Sequence, residues 1–496
     1  MTDALFGQGY FLRFDPKLWQ AQRPYAPLGT LIAAAVLREA GHSVAVFDAM
    51  LATSERDWQA ALDRHRPRVA VLFEDNFNYL SKMCLGRMRE ASLTMIRMAR
   101  QAGARCVVSG SDASDHPAPY LEAGADVVIA GEGEITLREV LPALLSGRPL
   151  SETPGLVFRQ EGGLLRTQPR VPVKNLDALP RPAWDLIDVA RYRSVWQARH
   201  GHFSMNVATT RGCPYHCNWC AKPIYGQRYA VRSPESMADE IAALRASHRP
   251  DHLNIVDDIF GLQPGWVERF ATALAERNAV TPFQCLTRVD LLDDKTVGAL
   301  FRAGCRRVWV GAESGSQKIL DAMEKGTRVE EIRAAARRAQ AAGIEVGFFL
   351  QFGYPGETRE DIEATRQLVR DCQPDDIGIS VSYPLPGTRF HERVAARMGR
   401  QQNWAHSDDL AMLYEGPFGT AFYRALHGVV HAEFRVARAR RARAGVRERA
   451  RALVLRASLP WLRLKLERGA KLRPDALPPL PVSLSPVAAA RPSEPA

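Results

Sequence analysis

The chain of 496 residues contains no apolar run of about 18 residues or more, which excludes a membrane-spanning helix. Its start, Met1-Thr-Asp-Ala-Leu-Phe6, carries neither a basic stretch nor a long apolar one, so no secretory signal is expected. Cysteine is scarce, with eight in the whole chain, and a disulfide framework does not fit so long a sequence. A reducing, cytoplasmic setting is therefore expected. Most of the chain also lacks an excess of either charge. The net charge is +11, but residues 421–473 alone hold 15 Lys and Arg against 3 Asp and Glu. The basicity belongs to one C-terminal segment, and no specific nucleic-acid partner is expected. The length allows two or three domains.

Three of the few cysteines stand together. Cys213, Cys217 and Cys220 lie in Arg211-Gly-Cys-Pro-Tyr-His-Cys-Asn-Trp-Cys-Ala-Lys222 with the spacing C-x3-C-x2-C. Iron–sulfur clusters are normally held by four thiolates. Three ligands leave one iron with an open position, which suggests a reactive cluster. A structural zinc site is the competing reading, but it prefers four closed ligands. It would have to recruit His216 or one of Cys84, Cys106, Cys285, Cys305 and Cys372, which are scattered singly in mostly apolar runs.

Residues 1–150 alternate strand and helix patterns. Short β-branched runs at His42–Asp48, Arg68–Phe73, Ala104–Ser109 and Asp126–Ala130 alternate with helical stretches at Leu28–Ala40, Glu55–His65, Met83–Gln101 and Ile135–Leu145. This implies βαβ units and a Rossmann-like parallel sheet. Such sheets bind ligands beyond the carboxyl ends of their strands. Pro27-Leu28-Gly29 opens a helix, Gly110-Ser111 follows the third run, and Gly131-Glu132-Gly133 follows the fourth. Glycine at these ends lets a ligand approach the backbone, although such turns also carry Gly for steric reasons. The loop Phe73-Glu-Asp-Asn-Phe-Asn-Tyr-Leu80 is a candidate ligand-facing element or an exposed cap. Residues 151–200 are richer in Pro and polar residues and read as a linker.

A second α/β series occupies residues 201–400. Six apolar runs begin at Met205, His252, Phe283, Arg307, Glu345 and Asp376, with helical patterns between them. Six βα units imply a partial (β/α)6, TIM-type barrel, whose active site gathers at the C-terminal strand ends. The cysteine triplet falls just after the first strand. The later strand ends carry Asp257-Asp258, Thr287-Arg288-Val-Asp290, Gly311-Ala-Glu-Ser-Gly315, Gly353-Tyr-Pro-Gly-Glu-Thr358 and Tyr383-Pro-Leu-Pro-Gly-Thr388. Each motif is common alone; their order at successive strand ends is not.

These motifs, with Trp219 before the last cysteine, resemble the radical S-adenosylmethionine (SAM) superfamily. The resemblance implies a [4Fe-4S] cluster on Cys213, Cys217 and Cys220, whose open iron is chelated by SAM. One-electron reduction then splits SAM to a 5′-deoxyadenosyl radical. It further implies that Arg288 holds the SAM carboxylate, and that Glu313 and Ser314 contact its amino group and ribose. Gly353, Pro355 and Gly356 would pass close to the adenine, Trp219 would border the cofactor, and Tyr383 would meet substrate. A flavodoxin or ferredoxin would supply the electron. The N-terminal pattern resembles the cobalamin-binding domain found upstream of many such barrels. Pro27, Leu28, Gly29, Gly110, Ser111, Gly131, Glu132 and Gly133 would line that cofactor. The D-x-H-x-x-G motif of other cobalamin proteins is absent.

The resemblance implies methylation of an unactivated carbon. Radical oxidation of the kind performed by the anaerobic magnesium-protoporphyrin monomethyl ester cyclase group is the alternative, and a non-catalytic metal-binding protein is another. Residues 401–473 read as a helical basic region, and 474–496 as a disordered Pro/Ala/Ser-rich tail. A basic helix with Leu and Trp on one side reads as a membrane-surface element, which would suit a lipid or pigment substrate. Non-specific nucleic-acid attraction and a plain solvated helix compete with that reading.

Overall fold

In the computed structural model, which describes residues 2–83, 85–220, 224–441 and 445–469, two α/β units meet at an apolar cluster to which both contribute. The first unit is built on β1 (Ala4–Gly7), β2 (Val44–Val46), β3 (Val69–Phe73), β4 (Arg105–Ser109) and β5 (Val127–Ile129). They run parallel in the order β2-β1-β3-β4-β5. Alternation along β3 shows why both faces are covered. Val69, Val71 and Phe73 pack with Ala33, Leu37, Leu137 and Leu141 on one side. Ala70 and Leu72 pack with Trp58, Leu62, Met95 and Tyr120 on the other.

Two features depart from the expected organisation. Strand β1 was not among the sequence-predicted runs, yet it pairs with both β2 and β3 inside the sheet. The segment 151–200, expected as a linker, begins with a hairpin. Its strands β6 (Leu156–Gln160) and β7 (Gly163–Arg166) extend the sheet antiparallel from β5. Gly162 and Gly163, both at positive φ, turn the hairpin. A helix, Val189–His200, follows; its N-cap Asp188 accepts hydrogen bonds from the amides of Ala190 and Arg191.

The second unit is a curled, all-parallel sheet of six strands: β8 (Ser204–Val207), β11 (His252–Ile255), β12 (Phe283–Thr287), β13 (Cys305–Glu313), β14 (Glu345–Phe352) and β15 (Asp376–Val381). Their spatial order is their chain order, as in the expected half-barrel. Between β8 and β11, a two-stranded ribbon of β9 (Thr210–Arg211) and β10 (Ala230–Val231) closes the base of the cysteine loop. Leu28, Leu31, Phe77, Met83, Leu85 and Met88 of the first unit belong to the same apolar cluster as the barrel interior.

The C-terminal region is helical only in part. Residues 398–419 form no helix, because Gly399, Asn403, Ser407, Asp408, Gly416 and Pro417 favour turns over helical continuation. Helix Thr420–Arg438 buries Phe422, Tyr423, Leu426, Val429, Val430 and Phe434 against the barrel, and helix Val446–Arg468 packs on it. No helix among the described residues is long and apolar enough to cross a membrane. The tail at 474–496 lies outside the described residues.

Leu156 of the hairpin is fully buried in the sheet's core. Leu156→Ala should therefore destabilise the protein by about 2–5 kcal/mol in denaturant unfolding. A change within about 0.5 kcal/mol, the usual size at surface sites, would mark the hairpin as a passive connector.

Candidate active site

The cysteine loop is held in place from four directions. Asp257 at the end of β11 accepts the Thr209 amide at 2.7 Å, the Thr210 amide at 3.0 Å and the Thr209 hydroxyl. Burial pushes its carboxyl up to about 7. Asp257 thus supports the loop's backbone instead of facing substrate, and Asp258 pairs with Lys82 of the first unit. Gly212 sits at φ +76°, and a Cβ there would overlap the Arg228 carbonyl, so only glycine permits the β9–β10 ribbon. Asn218, between the second and third cysteines, donates to the Ala322 carbonyl at 2.8 Å and accepts from the Tyr354 hydroxyl at 2.8 Å. Its amide also donates to the Met323 carbonyl.

The fourth support crosses between the units. Arg211, two residues before Cys213, pairs with Glu132 and, at 2.8 Å, with Glu134. All three side chains are at most 5% exposed. Burial works against charge on Arg211, but Glu134, Tyr225 and Glu132 around it more than offset that and hold the guanidinium protonated. The Val173 amide donates to the second Glu132 oxygen at 2.6 Å. Glu132, expected at the cobalamin, is therefore the clamp between the sheet and the cysteine loop.

Beside the thiols stands a buried charge cluster. Lys325, which the sequence motifs did not single out, pairs with Glu313 at 2.8 Å and lies 5.9 Å over the Trp219 ring. Burial opposes its charge, and Glu313 and Cys217 more than offset that. Glu313 adopts φ +55°, a strained setting for a residue with a side chain. A Cβ at Gly311 would lie 2.6 Å from Lys325 Nζ, so that glycine makes room for the pair. Arg288 lies 3.7 Å over the Tyr215 ring, donates to Asp290 at 2.9 Å and donates twice to the Lys325 carbonyl at 3.1 Å. Its fork is thus engaged by Asp290. Ser314 is turned into the helix packing, with its hydroxyl 3.1 Å from that of Thr365.

Thiols adjoining buried groups of both signs suit an anionic cluster and a zwitterionic ligand carrying an ammonium and a carboxylate. Among the described residues, no three His, Cys, Asp or Glu side chains converge as a single-ion cage. His216 is exposed, and Cys106, Cys285, Cys305 and Cys372 are buried elsewhere.

The turn after β14 is covered. Gly353, at φ +81°, receives the Tyr414 hydroxyl on its carbonyl, and Met412 lies 3.1 Å from where its Cβ would be. Pro355 is buried, and Gly356 accepts from Lys318 at 3.2 Å. Glu357 does not cap the next helix; Thr358 does, reciprocally with Asp361. Glu357 instead accepts the Gly353 amide at 2.8 Å and the Tyr423 hydroxyl at 3.3 Å, and burial pushes its carboxyl up to about 8. Tyr383 is buried edge-on against Trp404, whose amide donates to its hydroxyl, so it is spent on packing and not presented at the barrel mouth.

The carboxyl ends of β1, β3 and β4 carry a second polar concentration. Both amide atoms of Gln8, the Tyr10 hydroxyl, Glu74 Oε2, Asn76 Oδ1 and the hydroxyls of Ser81 and Ser109 are buried without a hydrogen-bond partner among the described residues. So many orphaned groups in one place call for a polar occupant. This fits an amide-rich ligand such as cobalamin. Gln8 and Tyr10 were missed from sequence because β1 was missed. The expected glycines have internal reasons instead. A Cβ at Gly110 would lie 2.8 Å from Glu74, and one at Gly133 2.6 Å from Ser109 Oγ. Pro27 and Leu28 start a helix whose Gly29 amide donates to Asp75 at 3.0 Å, and Ser111 donates to the Ser81 carbonyl. Gly131, at φ +94°, has open space where a Cβ would be.

Tyr79 stands between the two concentrations. The residue is 61% exposed and has Cys220 and Glu313 in electrostatic reach.

A half-barrel with three thiols at its mouth, joined to a parallel sheet with a polar carboxyl end, defines a two-cofactor α/β class. The radical SAM superfamily profile matches residues 207–369, and the B12 binding domain profile matches residues 20–141. The chain thus carries a radical SAM domain in the barrel and a B12 binding domain upstream of it. The superfamily implies a [4Fe-4S] cluster and SAM, and the upstream domain supports cobalamin. An uncharacterized methyltransferase of Pyrococcus horikoshii is 30% identical over 56% of this chain, a match that spans only 60% of that relative. The anaerobic magnesium-protoporphyrin IX monomethyl ester cyclase of a Synechocystis strain is 25% identical over 75% of this chain and 73% of its own. The radical SAM methyltransferase TsrM of Kitasatospora setae, solved with cobalamin and a [4Fe-4S] cluster bound, shares the fold. The TM-score is 0.65 at 22% identity, over 81% of this chain and 76% of that one.

Two predictions follow from the supports of the loop. Arg211→Met leaves Glu132 and Glu134 buried without their cation and should cost about 3–5 kcal/mol in denaturant unfolding; a cost below about 1 kcal/mol would show the clamp to be weak. Glu357 has a raised folded pKa, so its neutral form is the one the fold favours. Its contribution is full below the unfolded value of 4.5 and is lost as pH rises toward about 8. Glu357→Gln should flatten the fall in stability across that window, measured as unfolding midpoint against pH. An unchanged profile would show that Glu357 does not titrate there.

Proposed function

We propose that this chain is a cobalamin-dependent radical SAM enzyme that methylates an unactivated carbon of a small molecule. The observation that carries this reading is the clamp of Arg211 with Glu132 and Glu134. It joins the loop of Cys213, Cys217 and Cys220 to the sheet whose carboxyl end holds the orphaned polar groups. The similarity to the Pyrococcus methyltransferase supports methyl transfer.

On this reading the three cysteines hold the cluster, with Trp219 beside them. Glu313 and Lys325 supply the paired charges for SAM, and Arg288 positions the Lys325 backbone. Gln8, Tyr10, Glu74, Asn76, Ser81, Ser109 and Gly131 hold cobalamin, on the unit spanning residues 1–150 and extended by the hairpin. When bound, these cofactors supply a carbon-centred oxidising radical and a transferable methyl group. The protein's own part is to orient them, to exclude water at the covered Gly353 turn, and to place Tyr79 between them. A one-electron reductant of the flavodoxin or ferredoxin type serves the cluster. The substrate is of lipid or pigment class if the basic C-terminal region meets a membrane.

A second reading, radical oxidation without methyl transfer, is supported by the similarity to the protoporphyrin cyclase across three quarters of the chain. Product mass separates the two, since methylation adds a methylene unit. Replacing Cys213, Cys217 or Cys220 singly by Ala should abolish iron and sulfide loading and methyl transfer from labelled SAM. Cobalamin absorbance should stay near the wild-type level. Retained iron and sulfide in all three variants would place the cluster elsewhere, and a wild-type protein that binds no cobalamin would overturn the methylase reading.

A further inference from the structure

Helix Val446–Arg468 has two apolar faces. One is the docking face. Glu448, Ala452, Leu455, Leu459, Leu462 and Leu466 recur every three or four residues and, with Ser458, are the partly or fully buried positions. Leu462 and Leu466 join the barrel's apolar cluster, beside helix Thr420–Arg438. The other face looks outward. Val446, Leu453, Val454, Trp461 and Leu464 are 85%, 68%, 71%, 62% and 50% exposed. Their spacing of 7, 8, 15 and 18 residues from Val446 returns to one side of an α-helix, roughly opposite the docking face. Five large apolar side chains in one solvent-facing stripe are unusual for a surface helix.

The charges around this stripe are of one sign. Arg447, Arg451 and Lys465 border one edge, and Arg449 and Arg456 the other, as their helical positions require. All five are exposed, and among the described residues none has an acidic partner. The helix's two acids are both paired with arginines of other elements: Glu448 lies on the docking face, and Glu467, 62% exposed, lies at the edge with Arg449 and Arg456. Glu448 pairs with Arg438 at 2.6 Å and Glu467 with Arg359 at 2.9 Å. Arg463 is similarly committed, to Glu433 at 2.8 Å. The outward half is therefore apolar along most of its centre, with Arg468 at its C-terminal end, and is cationic at both edges, with Glu467 as its single acid, paired with Arg359.

We propose that this outward face of helix 446–468 docks on an anionic lipid surface. A bilayer carrying acidic headgroups takes the apolar stripe into its acyl boundary and meets both rows of cations at headgroup level. The long Arg and Lys stems reach that level while their own apolar portions line the stripe. A second copy of the same face would set like-charged rows against each other. The segment 470–496 offers Asp475 and Glu494 against Lys471, Arg473 and Arg491, and so brings no net negative charge to five cations. The inference narrows the membrane reading of the C-terminal region to one face of one helix. Helix Thr420–Arg438 is excluded because its apolar face is already buried. The proposal does not depend on the reaction, since vesicle binding needs neither cofactor nor substrate.

The test is co-sedimentation of the full-length, cofactor-loaded protein with vesicles of phosphatidylcholine alone, or mixed with phosphatidylglycerol at about one part in three. The protein should bind the mixed vesicles at least tenfold more tightly than the neutral ones, and less tightly as salt is raised. W461S/L464S should lose at least tenfold on mixed vesicles, and R449Q/R451Q/R456Q should lose the preference for the anionic lipid. Both should keep the wild-type circular dichroism and cobalamin absorbance, because the substituted side chains are exposed. Equal binding by W461S/L464S, or no vesicle binding by the wild type, would overturn the proposal. So would a vesicle-free dimer that W461S/L464S dissolves, which would assign the face to a second copy. Vesicle binding that appears only after truncation at Gly469 would assign it to the tail. Failure on any of these grounds leaves the methylase reading untouched, because that rests on iron, cobalamin and product mass.

Discussion

Arg211 is the residue on which the arrangement turns. It ends the ribbon strand that leads into the cysteine loop, and its guanidinium is buried against two carboxylates from the loop that follows β5. A buried cation cannot be left unpaired, and two buried carboxylates cannot be left without it. The carboxyl end of the first sheet and the mouth of the barrel are therefore fixed to each other by charge as well as by the shared apolar cluster. Phe77 and Tyr225, in contact across the seam, lie 5.6 and 5.3 Å from the guanidinium and keep water from the triad. Such pairs contribute little net stability compared with an apolar seam, but they permit only one register. Register is what two facing cofactor sites require.

The remaining supports serve the same end. Asp257 holds the loop's entry, Asn218 its middle and Gly212 its turn. Glu313 and Lys325 place opposite charges within the barrel mouth, in a strained backbone that the packing around Gly311 tolerates. Tyr79 of the first unit comes within electrostatic reach of Cys220 and Glu313. The polar groups of the site are thus divided into those spent on holding the loop and those left for ligands. The orphaned set at β1, β3 and β4 belongs to the second kind.

Much of this was legible in the sequence, and the exceptions have physical causes. The six barrel strands were readable because each is an apolar run between helical patterns, and the cysteine spacing was readable because the ligands are local. Strand β1 escaped notice because Ala4–Gly7 has four residues and no preceding helix to set a rhythm, although Gly7-Gln-Gly9 after an apolar run was a signal. The β6–β7 hairpin was hidden by the polar composition of Arg159–Gly163, despite its Gly-Gly turn. Roles set by distant partners could not be read at all. Glu132 looks like a ligand-loop acid until Arg211, 79 positions on, is brought beside it. Tyr383 looks like a substrate contact until Trp404 covers it. Lys325 lies in no motif that the sequence reading used, and only the fold sets it against Glu313.

The C-terminal region shows why composition misled there. Its two long helices both carry a net positive charge, yet they do opposite work. Helix Thr420–Arg438 carries Tyr423 to Glu357, while Met412 and Tyr414 just before it seal the Gly353 turn, so this stretch completes the barrel. Helix Val446–Arg468 shows little amphipathicity as a whole because two apolar faces on opposite sides offset one another. One face is satisfied by the helix beneath it. The other is bordered by cations, and the one acid at its edge, Glu467, is paired with Arg359. A segment whose average is merely basic is thus built from an inner layer that belongs to the catalytic unit and an outer layer that faces away from it. The pairing of its acids with arginines of other elements, more than the total charge, gives the outer face its character.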